Sequence, residues 1–84
     1  GMIYKVFSVE EYFSEAEKTA QTLSQMPTKA LGMTKRLLNQ SMTNTLTEQL
    51  ELEGKLQIEA AQSEDYAEGV DAFVNKRKPE FKGR

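Results

Sequence analysis

TLTEQLELEGKLQIEAAQSED, residues Thr45–Asp65, holds two helix starts with a helix between them, and its reading decides how the rest of the chain divides. Thr45 with Glu48 makes a capping box, in which a hydroxyl and a carboxylate take up the first unsatisfied backbone N–H groups of a helix. Ser63, followed by Glu64 and Asp65, opens the next helix, because acidic groups in a first turn face its partial positive charge. Between the two starts, Leu46, Leu50, Leu52, Leu56, Ala60 and Ala61 predict a helix over about 45–62. At about 100° per residue its apolar arc is about 180° wide. That width suits either the central helix of a small bundle or a helix covered from outside this chain on a second side.

Outward from this stretch the punctuation repeats. Tyr66, Val70, Phe73 and the stem of Arg77 give the following helix an apolar face over about 64–77, and Pro79 stops it. On the other side, Pro27 suits the first turn of a helix over about 27–42, where its missing N–H is not needed. There Leu31, Leu38 and Met42 share one stripe, and Ala30, Leu37 and Ser41 share the next. Ser8 with Glu11 caps a first helix over about 9–25, whose apolar series is Phe13, Ala16, Ala20 and Leu23. The predicted fold is all-α, one domain over 1–84, with four helices and a basic tail at 78–84. Ahead of the helices, Met2 to Phe7 is rich in β-formers, yet a lone strand leaves its backbone groups without a ladder. The segment therefore reads as the end of a preceding α/β region in a longer polypeptide, or else as a loose or artificial lead. Gly32, Gly54 and Gly69 fall inside predicted helices, where close approach of a neighbour is the usual compensation.

Composition narrows the chemistry. An 84-residue chain with no cysteine and no histidine has no thiolate nucleophile, imidazole base, disulfide or histidine metal site. No apolar run nears the roughly 20 residues that span a bilayer, and no leader pattern is seen, so the expected setting is cytoplasmic and without a membrane partner. From Asn75 onward there are five cations and one anion, whereas residues 1–74 carry six cations and twelve anions. An acidic body argues against nucleic acid as a partner, while a local basic end can still hold one or a few phosphates.

Two constellations stand out. Lys35 and Glu53 each sit within an apolar stripe and lie about 13 Å from the turn at Thr43-Asn44. They are expected to face each other, as a structural ion pair or as a Glu/Lys couple. Phe73 and Lys76, three residues apart, are followed by Arg77 and Lys78: an aromatic plate beside cations suits a nucleotide. The same residues also serve a purely structural end, completing an apolar stripe and offsetting the helix dipole. No spacing singles out a catalytic carboxylate pair or a metal ligand set.

The stretch Ser63-Glu64-Asp65-Tyr66-Ala67-Glu68-Gly69, continuing through Ala72-Phe73, Lys76-Arg77, Pro79, Phe81 and Gly83, resembles the C-terminal pattern S-x-D-x-x-E-G-x-x-A-F-x-x-K-R-x-P-x-F-x-G of the enoyl-CoA hydratase/isomerase (crotonase) superfamily. Gly1-Met2-Ile3 with Val6 is similar to its G-L-[IV]-x-x-V, Pro27 to Lys35 to its P-x-x-A-L-x-x-x-K, and Leu50 to Glu53 to its L-x-x-E. Within the superfamily, Thr43 to Leu46, Gln49-Leu50 and Asp65-Tyr66 look most like the isomerases of ring-epoxidised phenylacetyl-CoA. Gly54 departs from the pattern, where a larger residue is usual.

The resemblance implies a four-helix C-terminal region cut from a larger α/β spiral fold, whose oxyanion hole and acid/base carboxylates lie in the spiral. It assigns this chain no catalytic residue, no metal and no tightly bound cofactor. It implies that the region covers coenzyme A, the substrate thioester of the parent enzyme. It also implies assembly with the parent's own N-terminal catalytic domain and into a homo-oligomer, a trimer or hexamer, with Phe73 and Lys76 near the adenine and phosphates of CoA held by a neighbouring subunit. On this reading the 84 residues are inert alone. The alternative is a free-standing small helical acyl-CoA-binding or adaptor module, against which the unpaired Met2–Phe7 segment counts.

Overall fold

Three of the four helices start on a side chain that takes a backbone N–H. Ser8 Oγ accepts from Glu11 N–H at 3.3 Å and Ser63 Oγ from Tyr66 N–H at 3.1 Å. Thr45 Oγ1 accepts from Glu48 N–H at 3.4 Å while the Glu48 carboxylate accepts from Thr45 N–H at 2.8 Å. That reciprocal contact holds the Glu48 carboxyl below its usual range. In the computed structural model, which describes residues 3–84, these caps bound α1 (Val9–Ser24), α3 (Leu46–Ala61) and α4 (Glu64–Val74), and α2 (Thr28–Gln40) follows Pro27 without a side-chain cap. The described residues form helices and connecting segments and no strand, as an all-α reading requires. Gly1 and Met2 of the expected extended segment lie outside the described residues. Its remainder, 3–7, makes no ladder, and Lys5 Nζ sits 4.9 Å above the Phe7 ring.

α2 and α3 form an antiparallel hairpin across the Ser41–Thr45 connection. Near the turn, Gln49 Nε2 donates to the Leu37 carbonyl at 3.3 Å and Asn44 Nδ2 donates to Gln49 Oε1 at 3.0 Å. Farther along, Ala30, Met33 and Leu37 face Leu56 and Ala60. Leu56 is 3% exposed, and together with Ala72 of α4, at 1%, it makes up the fully buried apolar core of the described residues. α4 packs on α3, whereas α1 has no comparable seat on any other helix.

One expectation fails here, for a reason of register. α2 turns the Ala30, Met33, Leu37 stripe to α3, so Leu31 and Leu38 face outward, and Met42 stands exposed in the connection because the helix ends at Gln40 rather than near 42. Lys35 lies about 160° around the helix from both Met33 and Leu37. It is exposed and forms no salt bridge among the described residues, while Glu53 instead accepts from Gln49 Nε2 at 3.2 Å. The Lys35–Glu53 pair is therefore absent. On α3, Leu56 is buried against α2 and Leu52 is half-buried, while Leu46 and Leu50 stand exposed, so a second side of its apolar arc is open among the described residues.

The molecule is correspondingly open. Its radius of gyration is 16.0 Å, against about 12 Å for a compact domain of this length. Its accessible surface is 7284 Å², against about 5,000 Å² for a compact monomer of this mass. Among the helical glycines, only Gly69 has a close neighbour: a Cβ there would stand 3.5 Å from the Phe81 ring, whereas Gly32 and Gly54 face open space.

Candidate functional site

The end of α4 and the tail that follows it form the most elaborately bonded part of the chain. α4 closes in a Schellman turn: the Arg77 N–H reaches the Ala72 carbonyl at 3.0 Å and the Lys76 N–H the Phe73 carbonyl at 3.3 Å. This turn needs a left-handed residue, and Lys76 supplies it at φ 52°. Glycine takes that conformation freely, whereas a residue with a Cβ pays about 1–2 kcal/mol for it. The helix accordingly ends at Val74 rather than near 77, and Lys76 lies beyond it rather than on its last turn. The stem of Arg77 does not extend the apolar face of α4.

From Arg77 the chain doubles back along α4 and is tied to two carboxylates. The Glu68 carboxylate receives both arms of the Arg77 guanidinium, at 2.6 and 2.7 Å, and the Glu80 N–H at 2.7 Å. The fork-shaped pairing and the extra N–H hold the Glu68 carboxyl down at about 2, and the hydrogen bonds to Glu68 and Asp71 push the Arg77 guanidinium further up. Asp71 also accepts from Arg77. One turn earlier on α4, Asp65 is 3% exposed. Its oxygens accept the N–H groups of Lys82 and Gly83 at 2.6 and 2.8 Å, and its own N–H donates to the Arg84 carbonyl at 3.0 Å. Gly83 has φ 75°, and a Cβ there would collide with the Thr28 hydroxyl, so the tail closes onto the start of α2 only because this residue is glycine.

The tail's five cations thus divide by type. Arg77 is held by Glu68 and Asp71, and Arg84 Nε donates to Glu64 at 2.9 Å. Lys76, Lys78 and Lys82 form no salt bridge among the described residues and are exposed. The planar guanidinium matches a carboxylate in a fixed geometry, and the ammonium groups are left for solvent or a ligand.

Beside this end lies an open apolar cleft of 370 Å³, walled by Pro27 and Ala30 of the α2 start, Ala60 of α3, Val70 and Phe73 of α4, and Phe81 of the tail. Phe73 is 86% exposed, a large ring facing water at the rim of the cleft. Spacing points to Phe73 and Lys76 and gives no role to the clip of Asp65, Glu68 and Arg77. Its signal was present in two acids three residues apart on α4, followed by a basic segment after a helix stop. The carboxylates of α4 are engaged by the tail's N–H groups, and no three His, Cys, Asp or Glu side chains gather as metal ligands among the described residues.

The model of the enoyl-CoA hydratase/isomerase family matches residues 1–84. The chain is 44% identical over its whole length to the 1,2-epoxyphenylacetyl-CoA isomerase of Escherichia coli (strain K12), of which it spans 32%. The crystal structure of an enoyl-CoA hydratase from Polaromonas sp. JS666 superposes on 98% of the chain with a TM-score of 0.89 and 33% identity, covering 32% of that protein. A crystal structure from Geobacillus kaustophilus HTA426 superposes on all of it with a TM-score of 0.92 and 31% identity, again over 32% of the larger chain. The chain therefore spans about a third of the relatives it matches, and no helix in its described part is long and apolar enough to cross a membrane. Family model, sequence identity and superposed helices agree: the chain belongs to the enoyl-CoA hydratase/isomerase family.

Proposed function

We propose that these residues are the C-terminal helical region of a cytoplasmic enzyme acting on acyl-CoA thioesters, where they cover bound CoA and join the parent's catalytic domain and neighbouring subunits of a trimer or hexamer. The observation that carries the reading is the exposed Phe73 ring at the rim of an apolar cleft, with Lys76, three residues on, exposed and in no salt bridge among the described residues. An adenine packs on the ring and phosphates meet the ammonium groups. The open surface supports the rest: Leu31 and Leu38 of α2, Met42 of the connection, Leu46 and Leu50 of α3, and Tyr12 and Phe13 of α1 face solvent. An apolar surface of that extent calls for a protein cover. Kinship with the 1,2-epoxyphenylacetyl-CoA isomerase favours an isomerase of ring-epoxidised phenylacetyl-CoA in phenylacetate degradation. The 84 residues alone are expected to turn over no acyl-CoA.

The test is Lys76→Ala in the full-length enzyme. It should raise KM for an acyl-CoA and leave kcat nearly unchanged, because a remote phosphate contact acts alike in ground and transition states. Added salt should shrink the difference. With a substrate carrying only the pantetheine arm the substitution should do nothing. An equal loss with both substrates would assign Lys76 to the fold instead.

A further inference from the structure

We propose that Glu68 and Arg77 are positioning residues for the phosphate-binding lysines: their ion pair folds the chain back after α4 and so holds Lys76 and Lys78 at the open end of the helix. This rests on the reading above that Lys76 meets the CoA phosphates.

Three observations carry it. Lys76 is left-handed where glycine would be unstrained, and such a conformation persists only when its surroundings impose it. Here the Schellman bonds fix the residue from the helix side and the grip on Arg77 fixes it from the tail side. Next, one carboxylate ties down both sides of Lys78, taking the guanidinium of Arg77 and the N–H of Glu80, while Arg77 Nη1 also donates to the Lys78 carbonyl at 3.3 Å. Finally, Lys76 and Lys78 are exposed and outside any salt bridge among the described residues. Two residues apart, their Cα atoms are separated by no more than about 7 Å, so both ammonium groups can reach one phosphorylated ligand. A backbone fixed in advance lowers the cost of ordering those side chains on binding.

Glu68→Gln separates positioning from simple charge, because the two effects have opposite signs. Removing an anion near a phosphate site strengthens the attraction and lowers KM if only the field matters. If the clip positions the lysines, the same substitution raises KM for an acyl-CoA by about threefold to tenfold, with kcat and the pantetheine-arm substrate unaffected. Arg77→Lys, which keeps the charge but loses the fork, should do likewise. A KM that falls or stays level for both variants while Lys76→Ala still raises it would overturn the positioning role and leave the proposed function standing. An equal rise with both substrates would overturn it too, assigning the clip to the fold. No effect of Lys76→Ala itself would end both.

Discussion

α1 and α4 start alike and finish differently. Each begins on a serine cap with acids in its first turn, and each carries an apolar series at helical spacing. α4 has Asp65 and Ala72 buried and holds a tail by carboxylate contacts reaching 6 to 20 residues along the chain. α1 has no buried residue, and its side-chain hydrogen bonds stay within the helix and its cap. The lesson is that capping and periodicity make a helix, whereas anchoring it needs a complementary surface, and of these two helices only α4 finds one within the described residues.

Removing the anchor of α4 should have the largest effect. Asp65→Ala strands two N–H groups that had faced a buried carboxylate, and hydrogen bonds to a charged group are worth about 1.5–3 kcal/mol each. A loss of about 3 kcal/mol is expected in the full-length protein, with amide hydrogen exchange accelerated at Lys82 and Gly83 and unchanged in α1. Equal acceleration in α1 would mean that the two helices are coupled after all.

Acid should loosen the same clip by a smaller step. The Glu68 carboxyl is held at about 2, below the ordinary 4.5. A carboxyl lowered in the folded state stabilises it above its unfolded value, and that contribution is lost as the pH falls through the folded one. The difference in Tm between the native protein and Glu68→Gln should hold from pH 7 to about 5 and shrink toward pH 2. A difference that stays constant down to pH 3 would show that the charge of Glu68 is not what secures the tail.

The smallest change belongs to α1. Phe13 is 82% exposed, so in the 84-residue chain Phe13→Ala should cost under about 0.5 kcal/mol. In a full-length enzyme that covers α1, the same truncation should cost about 3 kcal/mol or more, as a buried phenylalanine does. Thermal unfolding of both forms makes the comparison, and a large loss in the short chain would show that α1 docks on α2–α4 by itself.

The local signals determined the helices: Ser8, Thr45 and Ser63 start three of them in the structure as they do in the sequence, because a cap satisfies its neighbours within three residues and depends on little else. The family was legible too, from the spacing of Asp65, Glu68, Gly69, Phe73 and Lys76. What faces what was not. α2 carries two adjacent apolar stripes, and periodicity ranks them equally; only the register against α3 turned Leu37 inward and Lys35 outward. The end of α4 depended on tertiary contact in the same way. Lysine at 76 gives no local sign of a left-handed turn; Arg77 reaching back to Glu68 holds it from the tail side, and Gly83 closes the tail against Thr28, contacts between residues apart in the chain whose energies no local pattern contains.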